Sequence, residues 1–129
     1  MTAFFEQTFY FDAPAHTLYE MLMDSEVHAE FTNSRAEISR EVGGNFVAYD
    51  GYITGTNLEL VPDQKIVQRW RAVDWPEDYY SVVTFTFIAQ NGGTRLDLTH
   101  TGLPDGTEEE FKQGWIENYW EPMKAFLEG

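Results

Sequence analysis

The chain has 129 residues, with 8 Lys and Arg against 22 Asp and Glu for a formal net charge of −14, and it contains no cysteine. This length fits a single domain, predicted to span residues 1–129, and the lack of cysteine excludes disulfides and thiolate metal sites. So few basic residues argue against nucleic-acid binding, because phosphate contacts need clustered Lys and Arg. No apolar run approaches the roughly 20 residues that cross a bilayer, and the N-terminus lacks the pattern of a secretory signal. We therefore expect a cytoplasmic protein without membrane insertion.

The first 34 residues are predicted to form one strand and two helices. Apolar residues alternate in phase over Phe4–Phe11, as in a half-buried strand. Asp12 and Pro14 are typical of a helix start, with Asp12 as the expected cap of an amphipathic helix. Asp24 is predicted to cap a second, short helix. That helix carries Val27, His28 and Phe31.

From residue 35 onward the hydrophobic period changes to two, which predicts a run of strands. Turn signals rich in Gly, Pro, Asn and Asp separate the segments. Short turns between successive strands imply antiparallel pairing, because parallel strands need long crossovers. The predicted strands are Ala36–Glu41, Asn45–Asp50, Ile53–Leu60, Lys65–Arg71, Ser81–Ile88 and Thr94–Thr101.

The C-terminal segment is predicted to be one long helix. Thr107 and Glu110 have the spacing of a capping box at its start. Pro122 lies inside the helix and is expected to kink it or to remove one backbone hydrogen bond. A continuous apolar stripe is predicted from Phe111, Trp115, Tyr119, Met123 and Phe126.

These elements predict an α+β fold in the order β-α-α-β6-α, with a curved antiparallel sheet wrapped around the C-terminal helix. An apolar cavity opens between sheet and helix wherever side chains do not fill the space, and such a cavity is a default ligand site. Because 16% of the residues are aromatic, we expect a small pocket rather than a tunnel. The predicted lining residues are Trp70, Phe85, Leu98, His100, Trp115, Tyr119 and Met123.

The three histidines do not form a recognisable metal motif. His16 is predicted to lie on a solvated helix surface, and His28 to cap a small helix or pack at its edge. His100 is in phase with apolar residues of the last strand, which points its imidazole toward the concave face. There it serves either as a general base or, more simply, as a buried histidine satisfied by the backbone or a hydroxyl.

No nucleophile elbow and no phosphate-binding glycine loop occurs in the sequence, so we predict no cofactor and no enzymatic activity. An enzyme acting on a hydrophobic substrate, with His100 as base, is a third and weaker hypothesis. Beside His100, the polar groups that such a cavity would offer are Asp50, which is more simply a turn residue, and Tyr119.

Trp75 follows Asp74 and precedes Pro76 in a predicted turn. A tryptophan in this setting either packs back over the end of the sheet or is displayed to a partner. Exposed tryptophan is a frequent interface anchor, so Trp75 is a candidate partner-binding residue.

Residues spread over nearly the whole chain, from about Phe5 to Phe126, carry a family resemblance. They include Gly44-Asn45-Phe46, Leu58-Glu59-Leu60-Val61-Pro62-Asp63, Trp70-Arg71, Trp75-Pro76-Glu77 and Gly114-Trp115. The sequence resembles the C-terminal domain of the activators of the ninety-kilodalton heat-shock chaperone's ATPase, which belong to the START-like, or SRPBCC, superfamily. The resemblance implies a helix-grip fold.

The resemblance implies two functions. The first is a non-enzymatic module that holds a small apolar ligand between the sheet and the C-terminal helix. The second is a co-chaperone-like module that binds a heat-shock chaperone and stimulates its ATPase, since the stretch from Leu60 to Phe87 is particularly similar to the eukaryotic activators. Those activators have a separate N-terminal domain that supplies much of their grip on the chaperone, and the present sequence starts with the second domain.

Overall fold

The computed structural model describes residues 3–128, which form one antiparallel sheet of seven strands and helices packed on its concave face. The strands are β1 Ala3–Phe11, β2 Glu37–Ile38, β3 Asn45–Ala48, β4 Ile53–Val61, β5 Lys65–Ala72, β6 Ser81–Gln90 and β7 Gly93–Leu103. Their spatial order is β1-β7-β6-β5-β4-β3-β2, so β1 forms one edge of the sheet beside β7. This arrangement confirms the predicted α+β, helix-grip fold.

Two short helices, α1 Ala15–Met23 and α2 Ser25–Thr32, lie between β1 and β2. A single-turn 3₁₀ segment, Tyr49–Gly51, joins β3 to β4. Residues 108–128, called the C-terminal helix below, comprise α3 Glu108–Trp115, a π-helical turn Ile116–Trp120 and α4 Glu121–Glu128. None of the helices within residues 3–128 is long and apolar enough to cross a membrane.

One of the three predicted helix caps is confirmed. The backbone N–H of Val27 donates to Asp24 Oδ1 over 3.1 Å at the start of α2. Asp12 does not cap α1, whose first turn follows Pro14 without a side-chain cap. The capping box at Thr107 is also wrong, because the Thr107 hydroxyl donates instead to the Pro104 carbonyl over 2.6 Å.

The predicted strand Ala36–Glu41 is much shorter in the structure, where only Glu37 and Ile38 pair with β3. The reason lies in Asn57, which is fully buried in β4. Its side-chain amide donates to the carbonyls of Ser39 and Glu41 over 2.7 and 3.1 Å, so the chain turns there instead of continuing the ladder.

Pro122 has the predicted effect on the C-terminal helix, because the π-helical turn ends two residues before it. The wider turn changes which residues face the sheet. Trp120, absent from the predicted stripe, is buried with 1% of its surface exposed, and Phe126 at the end of that stripe is 39% exposed. Met123 is fully buried as predicted, so the predicted stripe is wrong in leaving out Trp120 and in including Phe126.

Candidate functional site

The space between the sheet and the C-terminal helix is filled almost completely by side chains. The cavity that remains there measures about 20 Å³, which is near the minimum that holds one water molecule. It is lined by Leu22, His28, Ile38, Phe46, Ala48, Gln68, Trp70, Phe85, Trp115 and Tyr119. The interior is thus a packed core at the place where an enclosed ligand cavity was expected.

His100 lies inside this core and is fully buried. The indole N–H of Trp115 donates to His100 Nδ1 over 3.1 Å, which leaves the imidazole proton on Nε2. Nε2 lies 2.8 Å from Ser81 Oγ, and the Ser81 hydroxyl donates to the Trp70 carbonyl over 3.3 Å. This chain of three hydrogen bonds satisfies both ring nitrogens of a neutral histidine.

The surroundings of His100 are unfavourable for a general base. Burial lowers its pKa from 6.5 to about 3, and its free lone pair already accepts from Trp115. The interpretation of a buried histidine satisfied by a neighbouring hydroxyl is confirmed. The hydroxyl belongs to Ser81, which nothing in the sequence associates with His100.

His28 is also a core residue, so its predicted place at a helix edge is wrong. It is 3% exposed, and its Nε2 shares a hydrogen bond of 3.0 Å with the hydroxyl of Tyr119 on the C-terminal helix. Burial lowers the pKa of His28 to about 4 and raises the pKa of Tyr119. His16, by contrast, is exposed as predicted and lies 2.9 Å from Asp63.

A larger space lies at one end of the helix, where a cleft of about 470 Å³ opens between the C-terminal helix and strands β4 and β5. Six of its ten lining residues are aromatic, and Tyr52 at its mouth is 44% exposed. The lining residues are Tyr49, Tyr52, Ile53, Trp70, Glu110, Phe111, Gly114, Trp115, Asn118 and Tyr119. Its volume is in the range of small-molecule sites.

One wall of the cleft is a strained turn held by the C-terminal helix. Tyr49 and Asp50 both have left-handed backbones, with φ of 50° and 54°. The Tyr49 hydroxyl donates to the carbonyl of Asn118, the group that would accept from residue 122 if that residue were not proline. A π-helical turn and left-handed non-glycine residues both recur at functional sites, and here they meet at one cleft.

The charge at the cleft is negative. Glu110 is the acidic side chain among its lining residues, and neither Lys nor Arg lines it in the part of the chain that is described. The Tyr52 hydroxyl donates to Asp74 over 3.2 Å, and burial together with Asp74 and Glu110 raises the Tyr52 pKa. Glu110 and Asp74 therefore both raise the pKa of the Tyr52 hydroxyl at the mouth of the cleft.

Trp75 packs back over the end of the sheet. It is partly buried, with its ring 5.5 Å from Trp70 and 5.6 Å from Phe111, each in an edge-to-face arrangement. The Trp75 carbonyl accepts from Arg71 over 2.6 Å, which fixes the turn. Of the two interpretations of this residue, the packed one describes the structure.

The predicted cavity residues divide into three groups. Trp70, Trp115 and Tyr119 line both the small cavity and the cleft, whereas Phe85 lines the small cavity alone. The third group lines neither space and belongs to the core: Leu98, His100 and Met123.

Sequence reasoning missed most of the cleft. The strand predicted over Asn45–Asp50 includes Tyr49, and the sequence does not mark Tyr52 or Asn118, because no periodicity identifies a residue beside a strained turn. Gly114 is the one signal that was available, since glycine inside a strong helix pattern often has a packing or functional reason. Asp50, as predicted, is a turn residue, and it pairs with Arg35 over 3.4 Å.

The family profile described as "Activator of Hsp90 ATPase homolog 1-like protein" matches residues 12–128. The chain belongs to this family. It is 36% identical over 118 residues to "Activator of 90 kDa heat shock protein ATPase homolog 2" of Mus musculus, covering 92% of this chain and 36% of that protein. It is 37% identical over 107 residues to "Activator of 90 kDa heat shock protein ATPase homolog 1" of Homo sapiens, covering 83% of this chain and 32% of that protein.

The chain spans about a third of the length of these curated relatives. Among solved structures, it superimposes with a TM-score of 0.91 on an HSP90 activator from Plasmodium falciparum. That alignment has 32% sequence identity and covers 96% of this chain and 95% of the other. The fold of the family is START-like, with the C-terminal helix gripped by the sheet.

Proposed function

We propose that this domain binds a heat-shock chaperone of the ninety-kilodalton class and stimulates its ATPase. The observation that carries the proposal is the superposition, at a TM-score of 0.91, on nearly the full length of a protein described as an HSP90 activator. The packed interior agrees with it, because a domain with little enclosed space acts through its surface.

The surface chemistry indicates what the chaperone must offer. With a formal charge of −14, the domain would be drawn to a basic face and repelled by an acidic one. Although Trp75 packs on Trp70 and Phe111, it is only partly buried, and we propose its accessible part as a contact with the chaperone. It lies in the turn beside the exposed residues Val73 and Asp74. A tryptophan held rigidly by neighbouring rings loses little entropy on binding.

The test is ATP turnover by the chaperone from the same host, measured with and without the pure domain. Stimulation is expected to saturate with domain concentration and to weaken as salt is raised from 50 to about 300 mM, since screening weakens charge attraction. Trp75→Ala should reduce binding by about 5-fold or more. Tyr80→Ala, which removes a 40% exposed ring outside the cleft, is the matched control.

The stability of both variants is measured first, so that unfolding is not read as loss of contact. No binding and no rate change at high micromolar concentration of the wild-type domain would contradict the proposal.

A second candidate function is the binding of a small hydrophobic molecule in the cleft between the sheet and the C-terminal helix. It is favoured by the cleft volume of about 470 Å³ and by Gly114 in its wall. A Cβ atom placed on Gly114 would meet only the Asn118 amide, at 3.8 Å, so packing does not require glycine there. Glycine costs a helix about 1 kcal/mol relative to alanine, and what it leaves here is open space.

Native mass spectrometry of protein purified from its own host tests this candidate by the mass of a co-purified species. Gly114→Leu would fill the cleft and is expected to remove that species. Gln113→Leu adds the same side chain at the next position, outside the cleft lining, and should retain it. A wild-type protein that carries no adduct, and that binds no member of an apolar small-molecule library, would count against ligand binding.

A further inference from the structure

The cleft combines aromatic faces with a negative rim, and this combination has a specific chemical partner. The rings of Trp70 and Phe111 lie 5.7 Å apart, nearly perpendicular, and those of Tyr49 and Tyr119 lie 5.9 Å apart in a similar arrangement. All four residues line the cleft. The face of an aromatic ring carries negative charge density, so several rings around one space attract a cation more than a neutral molecule.

Two acidic side chains lie at the cleft. Glu110 is exposed at the rim, and the Asp74 carboxylate accepts from the Tyr52 hydroxyl at the mouth. Lys112, the basic residue nearest in sequence to Glu110, lies 3.5 Å from Glu109 and does not line the cleft. Glu110 is therefore not neutralised by Lys112 and is available to a ligand.

The walls of the cleft are held in place before any ligand arrives. Trp115 is fixed by its hydrogen bond to His100, Tyr119 by its bond to His28, and Tyr49 by its bond to the Asn118 carbonyl. A pre-formed set of rings avoids the entropy cost of ordering side chains on binding. A preference set by charge should then appear directly in affinity.

We propose that the cleft between the C-terminal helix and β4–β5 selects small organic cations, namely amphipathic ammonium compounds whose charged group lies between the aromatic rings and Glu110. This inference rests on the second candidate function, ligand binding in the cleft, and it adds the charge of the ligand. Chaperone binding is independent of it.

Two probes with the same shape and different charge test the proposal. The cation is 4-(trimethylammonio)benzyl alcohol, and its uncharged isostere is 4-tert-butylbenzyl alcohol. Binding to the full chain is measured by backbone amide chemical shifts, with Gly114 as the reporter in the cleft wall. The cation is expected to bind about 5- to 30-fold more tightly than the isostere, the range that cation–π attraction supplies. The anion 4-tert-butylbenzoate is expected to bind most weakly.

Glu110→Gln separates the role of the carboxylate from that of the rings. It should weaken binding of the cation about 3-fold or more at low salt and leave the isostere unchanged within 2-fold. Glu109→Gln makes the same change in net charge one residue away, outside the cleft lining, and should leave both probes unchanged. Both side chains are exposed, so neither variant is expected to unfold the domain.

Equal affinity for cation and isostere would overturn the proposal while leaving ligand binding in the cleft intact. Failure of all three probes to shift Gly114 would overturn both. An equal loss of cation affinity in Glu110→Gln and Glu109→Gln would show that overall charge, and not the cleft, attracts the cation.

Discussion

The core around His100 and the cleft beside Tyr52 are lined by the same kinds of side chain, yet one is closed and the other open. In the core, Trp115, His100 and Ser81 satisfy one another in a chain of hydrogen bonds, and about 20 Å³ remains nearby. In the cleft, Gly114 contributes no side chain, and the turn at Tyr49 leaves about 470 Å³. Aromatic content therefore does not decide whether this fold holds a cavity; the backbone between the rings does.

The two regions meet at Trp115 and Tyr119, which line both spaces. On the core side, Trp115 donates a hydrogen bond to buried His100, and Tyr119 shares one with buried His28. On the other side, both rings line the cleft. Substitutions on either side of these two residues test whether the core is closed and the cleft open for the reasons given.

The largest effect is expected for Trp120→Ala in the core. Trp120 is 1% exposed, packs against Phe11 and Phe85, and donates from its indole to Gln7 over 2.9 Å. Its loss should reduce the free energy of unfolding by about 3–5 kcal/mol, measured by urea denaturation. Trp120→Phe, which keeps one ring, is the control and should cost clearly less. A cost below about 1 kcal/mol for the alanine variant would mean that the core is not packed as described.

Acid should destabilise the core through its two histidines. Burial lowers the pKa of His100 to about 3 and that of His28 to about 4, from an ordinary value of 6.5. Between pH 6.5 and these lowered pKa values, the histidines of the unfolded chain bind protons that those of the folded chain do not. The free energy of unfolding therefore falls as the pH falls below 6.5. Each histidine should remove about 2 kcal/mol between pH 7.5 and pH 5.

Urea denaturation across this pH range measures that loss. His28→Gln, which keeps a hydrogen-bonding group near Tyr119 but does not titrate, should remove about half of the pH dependence contributed by the histidines. An unchanged pH dependence in His28→Gln would contradict the burial of a neutral His28.

A smaller effect is expected where the cleft wall joins the helix. Tyr49→Phe leaves the Asn118 carbonyl without the hydroxyl that donates to it and should cost about 1 kcal/mol of unfolding free energy. Pro122→Ala supplies a backbone N–H in the same turn, so Tyr49→Phe should cost less in that background. A double-mutant cycle measures the coupling, and strictly additive costs would show that the hydroxyl and the proline act independently.

The smallest effect is a gain. Gly114→Ala should stabilise the domain by about 0.5–1 kcal/mol, because alanine is the better helix former and its Cβ meets only the Asn118 amide. Thermal unfolding at constant pH measures the gain. A loss of stability would mean that Gly114 is required by packing, which would remove it as support for a ligand in the cleft.

Much of the fold could be predicted because it depends on local patterns. The alternation of apolar residues located six of the seven strands to within a few residues, and the Gly- and Pro-rich turns gave their antiparallel order. Pro122 predicted an irregular C-terminal helix, and the π-helical turn Ile116–Trp120 confirms it. The exception, β2, is shorter than predicted because the Asn57 side chain, 18 and 16 positions away, binds the carbonyls of Ser39 and Glu41.

The candidate site was less predictable than the fold. Trp70, Trp115 and Tyr119 were placed correctly on the inner face, since phase along a strand or helix is visible in the sequence. Tyr49 and Tyr52 were not found, because their positions depend on a left-handed turn that is held from the far end of the chain by Asn118. No spacing rule links residues 69 positions apart.

The order of the elements and the packing of the sheet around the C-terminal helix can be read from hydrophobic period and turn chemistry, which act over a few residues at a time. The family can be read from the resemblance that extends from about Phe5 to Phe126. The three-dimensional packing alone shows that the expected cavity is a packed core and that the open space lies between the C-terminal helix and strands β4 and β5. Cavity volume is a small difference between the space that the backbone encloses and the volume of the side chains, so one π-helical turn or one glycine decides it.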